Sequence, residues 1–305
     1  MLTDARQIES KPGFYTRVNC CKEIVPMKWM IVTDSSCDLK NLDGAPEDVQ
    51  FATVPFQMTL DGENYTDDDT LDVQAMVDAM EQAKVSHSAC PSPEAWVEQF
   101  ERADCSIAFT ISSRLSGSFN SAMAAKGMVL EKYPEKKIEV VDALSTGPKL
   151  VLLARMASRM IGEQAKLPQI TAACREFAEK GKTVFTLSSF HNLVINGRVN
   201  KVAGFIAGKL NIRVIGIGTE EGRIQLKELI RGEKRALRTL LDNMEKDGYR
   251  GKPMAVSQCL APQLAADLKT LITEKWPEAL VEILPTRGLD SYYAERNGLI
   301  LSYPV

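Results

Sequence analysis

Three serines give this chain its clearest chemical signal. Ser112, Ser113 and Ser116 fall in the run CSIAFTISSRLSGSFNSAMA, residues 105–124. Residues 107–111 are an apolar run of strand length. The turn that follows combines the serines with Arg114 and Gly117, and a helical pattern begins around Ala122. A strand running through such a turn into a helix makes an anion pocket. The first helical N–H groups lack intrahelical partners, and the dipole places partial positive charge there. Serine hydroxyls add donors without charge or bulk. The same residues also suit a purely structural role, with Ser116 as the helix N-cap and Ser112 and Ser113 as turn residues. Both readings stay open on this stretch alone.

Other residue types offer other chemistry. Asp34 and Asp38 follow the apolar run WMIVT, where sites gather in α/β folds. They could be read as a phosphatase nucleophile and general acid. Their spacing is too loose for a DxD arrangement, no downstream carboxylate pair clearly supplies a metal, and an Asp–Ser turn is also an ordinary cap. Ser36 and Ser92 read as helix caps. The two histidines, His87 and His191, have no nucleophile spaced to partner them and are too few for most metal sites. Seven scattered cysteines without a CxxC pair read as reduced thiols of a cytoplasmic chain, not a disulfide framework or a zinc site. No GxGxxG follows the first strand and no GxxxxGK[ST] occurs, so the nucleotide-binding fingerprints are missing.

The elements that must position these residues follow from the pattern of the chain. From 28 to 165, apolar strands alternate with amphipathic helices, which predicts a doubly wound, mainly parallel sheet. The run VQFATVPFQMTL carries Pro55 and reads as an edge or broken strand. A helix is expected around Met76 to Met80, another over 94–103, and a third, with a long apolar face, over 149–161. The second half predicts helix 170–180, strand 183–187, an apolar helix 202–210, a hairpin through 212–230, helix 232–247, strand 253–257, helix 263–276, and strands 279–284 and 299–303. That order is an α+β domain with a mixed sheet. The chain thus divides into 1–26, 27–165 and 166–305. Residues 1–26 are polar and without periodicity, lack a signal-peptide core and read as a flexible or accessory extension. At 305 residues and net charge −3 the chain has no marked attraction to a polyanion such as nucleic acid. No apolar run reaches the roughly 18 to 20 residues of a membrane span.

Several of these segments resemble the DegV family of lipid-binding proteins, in that family's order. DSSCDL at 34–39 matches its opening motif. SHSACPSP at 86–93 is similar to its TSQPSP loop, with Ser88 in the place of the threonine. ISSRLSGSFNSA at 111–122 resembles its ISSGLSGTYQSA-type motif. Asp142 with Ser145, Thr146 and Gly147 is similar to its loop of small residues before a helix. FHNLVINGRV at 190–199 looks like its LEYLRKGGRI motif, with Asn196 where a glycine is usual. NIRVI at 211–215 corresponds to its LNIKPI strand. Asn tolerates a left-handed turn, so that position is expected to hold.

The resemblance runs from Met27 to the C-terminus. It implies two α/β domains clasping one long-chain fatty acid, the carboxylate among hydroxyls and the tail in an apolar tunnel. It implies a carrier without catalysis of its own, without a cofactor beyond the fatty acid ligand. Some members present the acyl chain to a separate fatty-acid kinase subunit. The residues that would hold the ligand are Ser88, Ser112, Ser113 and Ser116, with Ser113 and Ser88 facing the carboxylate. Two departures stand out. Arg114 replaces a glycine. The C-terminal loop reads LPTRGL at 284–289, where the family has a His in an HTGPG-type loop. Arg287 there is expected either to bind the carboxylate as a bidentate donor or to be a surface arginine. The competing function is a serine- or aspartate-dependent hydrolase or phosphotransferase acting on a small polar substrate. It needs a base beside Ser113 or a metal at Asp34.

Overall fold

The computed structural model describes residues 27–199 and 211–305. The extension 1–26 and the expected helix 202–210 lie outside the described residues. The first half contains β1 (Trp29–Asp34), β2 (Val49–Val54), β3 (Gln57–Leu60), β4 (Glu63–Thr66), α1 (Val73–Gln82), β5 (Ser86–Ala89), α2 (Pro93–Phe100), β6 (Cys105–Thr110), α3 (Ser118–Lys132), β7 (Lys137–Asp142), α4 (Pro148–Gly162) and α5 (Leu167–Lys180). Four strands form a parallel sheet in the order β2-β1-β6-β7. Strands β1 and β6 are buried on both faces, which is why they read as continuous apolar runs. Alternate residues serve the two faces. Met30, Val32 and Ala108 pack with Trp96, Phe100 and Ala122 of α2 and α3. Ile31, Ile107 and Phe109 pack with Leu150, Ala154 and Ile170 of α4 and α5.

Pro55 splits VQFATVPFQMTL into β2 and β3, because proline cannot donate to a ladder. Strand β3 then centres a small antiparallel sheet, β4-β3-β5. Its hairpin turns on Asp61 and Gly62, both with positive φ, as a two-residue type I′ loop requires. Strand β5 covers Ser86 to Ala89, a stretch the sequence presents as loop.

The second half contains β8 (Lys182–Leu187), α6 (His191–Ile195), β9 (Ile212–Gly218), β10 (Ile224–Arg231), α7 (Glu233–Lys246), β11 (Met254–Gln258), α8 (Pro262–Lys275), β12 (Val281–Pro285), α9 (Gly288–Ala294) and β13 (Leu299–Tyr303). The sheet is mixed, as predicted, in the order β10-β9-β8-β13-β11-β12. Only β11 and β12 pair in parallel; the other neighbours are antiparallel. Helices α7 and α8 cover one face, with Leu240 and Leu268 against Val184, Val256 and Leu301.

Helix α4 touches both large sheets, against β1 and β6 on one side and β11 and β13 on the other. Nine of its residues are buried, which explains its long apolar face. Helix α5 packs on the first sheet, with Leu167, Ile170 and Cys174 in the same cluster as Ile107 and Phe109. Packing therefore groups α5 with the first half, although the expected division at 165/166 puts it in the second. In the turn after α6 the left-handed residue is Gly197, with φ 71°, and not Asn196, whose φ is −92°. Glycine takes that conformation at no steric cost, so asparagine need not.

Candidate functional site

An apolar-walled cavity lies between the two large sheets. Ile111, Phe56, Phe185, Leu187, Leu193 and Ile300 make much of its wall. They belong to one core cluster that joins β3, the end of β6, β8, α6 and β13. The apolar lining suits the tail of a small amphiphile.

Polar groups gather at the mouth. The Ser88 hydroxyl, on β5, lies 2.8 Å from the Tyr293 hydroxyl on α9. The Arg198 guanidinium lies 5.6 Å from the centre of the Tyr293 ring. Its Nε donates to the Leu115 carbonyl and its Nη1 to the Asn196 carbonyl. Ser116 completes this group on the lining. Burial pushes the Tyr293 phenol up, opposed by the Ser88 hydroxyl, so the phenol stays protonated and able to donate. Tyr292 anchors the helix beneath: its hydroxyl donates to Ser86 and accepts from Asn196. Arg198, Arg223, Leu115 and Ile224 also line a second, neighbouring cleft, together with Arg114.

The expected site residues divide. Ser88 and Ser116 reach the cavity. Ser116 is not the helix N-cap; Gly117 holds that position, and the Ser116 hydroxyl accepts from Ser118 N at 3.3 Å. Ser112 is buried behind the wall, where its hydroxyl donates to the Gly222 carbonyl at 2.6 Å. Ser113 is exposed and off the lining, its N–H directed at the Asp142 carboxylate. The structure therefore does not bring Ser113 and Ser88 together.

Arg287 takes neither expected position. It is 3 % exposed, and its fork is occupied by the protein itself. It donates to the carbonyls of Leu39 and Asp67 and forms ion pairs with Asp67 and Asp69. The Asp67 carboxylate in turn accepts from the N–H groups of Gly288 and Leu289, capping α9 from 221 positions away. A Cβ at Gly288 would stand 2.7 Å from that carboxylate, so only glycine allows the approach.

The Asp34 reading as a nucleophile meets a full set of donors. Its carboxylate accepts from Ser36 N and Oγ, Ile111 N and Ser118 Oγ. Burial still raises it to about 6. Those bonds tie β1 to the start of α3, which is a scaffold role. Ser92 does cap α2. Neither histidine lies on the cavity wall. Among the described residues no cluster of three His, Cys, Asp or Glu side chains could hold a metal, and no helix is long and apolar enough to cross a membrane.

Tyr293 and Arg198 were not singled out by sequence. Arg198 lies in FHNLVINGRV, a segment whose pattern assigns it no role. Tyr293 lies on a seven-residue helix with no periodic signal.

Comparison with known proteins follows the same lines. The family model described as "Uncharacterised protein, DegV family" matches residues 28–292. The chain belongs to the DegV family. A DegV domain-containing protein of Streptococcus pyogenes is 35 % identical over 280 residues, covering 92 % of this chain and all of that protein. Two DegV-type structures of similar shape were solved with fatty acids. The Fatty Acid Kinase (Fak) B3 protein of Streptococcus pneumoniae, loaded with linoleic acid, matches with TM-score 0.88 and 36 % identity over 92 % of this chain and 100 % of its own. A DegV family protein of Eubacterium eligens, loaded with heptadecanoic acid, matches with TM-score 0.87 and 36 % identity over 91 % and 99 %.

Proposed function

We propose that this DegV protein is a cytoplasmic carrier of one long-chain fatty acid. The carboxylate sits at the mouth among Ser88, Ser116, Tyr293 and Arg198, and the acyl chain fills the apolar interior. The observation that carries this reading is the pairing of an apolar-walled cavity with a group of donors, Ser88, Tyr293 and Arg198, gathered at one end. Fatty acids bound in relatives of the same fold support it. About 16 methylenes at ~0.8 kcal/mol each supply ample gross driving force, less the cost of ordering the chain.

The carrier does no chemistry of its own. Thr146 donates to Asp290 on the wall, but Ser88, at the head-group end, meets the Tyr293 hydroxyl, and Ser145 meets the Thr183 hydroxyl. A nucleophile would need a base in that place. Arg198, Arg223 and Arg114 around the mouth suit presentation of the head group to a separate fatty-acid kinase subunit.

Mass spectrometry of denatured, purified protein tests the carrier. One fatty acid per chain is expected. A level no higher than that from an unrelated control protein would overturn the reading. Adding a fatty-acid kinase and ATP should yield an acyl phosphate that hydroxylamine traps; failure with loaded protein would remove the kinase from the proposal and leave the carrier.

A further inference from the structure

The seam between the two large sheets holds two carboxyl groups that the lipid site does not explain. Asp38 follows β1, and Asp290 lies on α9. They are 3 % and 2 % exposed. Each uses one oxygen conventionally. Asp38 Oδ1 accepts from Arg287 N at 2.8 Å, and Asp290 Oδ1 accepts from the Thr146 hydroxyl at 2.6 Å. The remaining oxygen of each, Oδ2, is buried and accepts no well-formed hydrogen bond; the Ser257 hydroxyl, itself unpaired, is the donor that bears on Asp38. Both converge on Gly147. A Cβ there would collide with Asp290 Oδ2 and lie 3.1 Å from Asp38 Oδ2. Both Oδ2 atoms thus border the same point, and the two carboxyls face each other across it.

Two buried carboxylates cannot both carry charge at such a distance without a large penalty, but one proton between them turns repulsion into a hydrogen bond. We propose that Asp38 and Asp290 share one proton across the seam, and that this proton is a pH-operated latch on the cavity. Asp290 and Thr146 both line the cavity, so the latch is part of its wall. Loss of the proton to water leaves two facing anions and loosens the wall.

The surrounding groups leave the pair short of positive charge. Arg287 is the cation beside it, and its guanidinium is occupied by Asp67 and Asp69. Asp67 adds further negative charge to both members. From β11 and the residue after it come the Ser257 hydroxyl, the foremost of the groups that favour the Asp38 charge, and the Cys259 thiol. Cys37 and Asp34 lie on the β1 side, and the Arg155–Glu282 ion pair lines the outer cleft. Burial first, and mutual repulsion next, hold Asp290 well above the usual carboxylate range; burial raises Asp38 likewise.

The sign follows from linkage. The closed protein keeps a proton that the unfolded chain has already released. Stability is therefore greatest at low pH and falls as pH rises until the pair gives up its proton.

The test is thermal melting from about pH 5 to about pH 8. The wild-type melting temperature is expected to fall across this range more steeply than that of Asp290→Asn, whose amide supplies the hydrogen at every pH. Asp34 contributes equally to both proteins, so parallel profiles would overturn the shared proton. If Asp290→Asn does not fold, Thr146→Val decides. Losing the hydroxyl that steadies the Asp290 charge should shift the fall to higher pH, and an unmoved profile would overturn the proposal. The latch itself rests on the carrier reading. Release of a fluorescent fatty acid to serum albumin should accelerate roughly threefold or more over the same range in the wild type. Release independent of pH would overturn the latch. Protein that takes up no fatty acid would sink the carrier reading instead, while the melting profiles would still decide the proton.

Discussion

The Ser112 hydroxyl donates to the Gly222 carbonyl at 2.6 Å, joining positions 110 residues apart. One partner ends the β6 turn; the other sits at the tip of the β9–β10 hairpin. The contact folds the hairpin tip over the cavity, so that Gly222, Arg223 and Ile224 become part of its wall.

Gly222→Ala should therefore damage more than backbone conformation. Gly222 has φ +79°, and an added Cβ would collide with Ser112 Oγ and stand 3.1 Å from Leu144 Cα. Gly44 has nearly the same φ, +77°, in open space. Gly44→Ala should cost about 1 kcal/mol, and Gly222→Ala about twice that or more. Urea denaturation of the pair isolates the contact; equal losses would mean that the hairpin tip is not held as described.

The head group is tested at Ser88 and Tyr293. Each hydrogen bond to a charged group contributes roughly 1.5 to 3 kcal/mol, so Ser88→Ala with Tyr293→Phe should weaken fatty-acid binding about tenfold or more. Ser113→Ala, at an exposed position, should leave affinity unchanged. Displacement of a fluorescent fatty acid measures all three. A loss from Ser113→Ala alone would return the carboxylate to the outer turn.

Arg287 is expected to matter for folding, not for ligand affinity. Arg287→Met would leave the 1 % exposed Asp67 without its cation, a change that costs about 3 to 5 kcal/mol. Arg287→Lys should recover only part, because one ammonium cannot reach Leu39, Asp67 and Asp69 as the planar fork does. Unaltered stability with abolished binding would make Arg287 a ligand residue after all.

Phe185 limits the cavity from β8, its ring pressed against the backbone of Gly216. Phe185→Ala should cost about 3 to 5 kcal/mol and shift the bound acids toward longer or bulkier chains. The mass spectrum of extracted lipid reads the shift; an unchanged profile would place the tail along another wall.

Sequence showed most clearly what is locally encoded. Strands β1 and β6 were legible because parallel strands buried on both faces leave continuous apolar runs. Strand β5 was not, since Ser-His-Ser-Ala carries no β signal and is recruited by β3. The Asp61-Gly62 pair is a hairpin-turn signal within the sequence itself. Helix α9 depends on a cap supplied by Asp67, far away in sequence, and nothing within GLDSYYA announces it. The site follows the same rule. Ser88 and Ser116 were accessible through their loops. Ser112 and Ser113 are adjacent, and which one points inward was settled by the Ser145 carbonyl, which accepts from Ser112 N. Arg287 could not be placed because its partners come from 220 to 248 positions upstream.

Helix α4 has a mechanical meaning. A helix shared by both large sheets cannot follow one without uncovering apolar surface against the other. Leu150 and Ala154, fully buried, lie in a cluster that also takes in Ala255 and Leu284 of the second sheet. The two halves are therefore expected to melt together, in a single transition. Parting the halves is the costly motion; the hairpin tip at Gly222 and the turn carrying Arg198, which α4 does not hold, open at less cost.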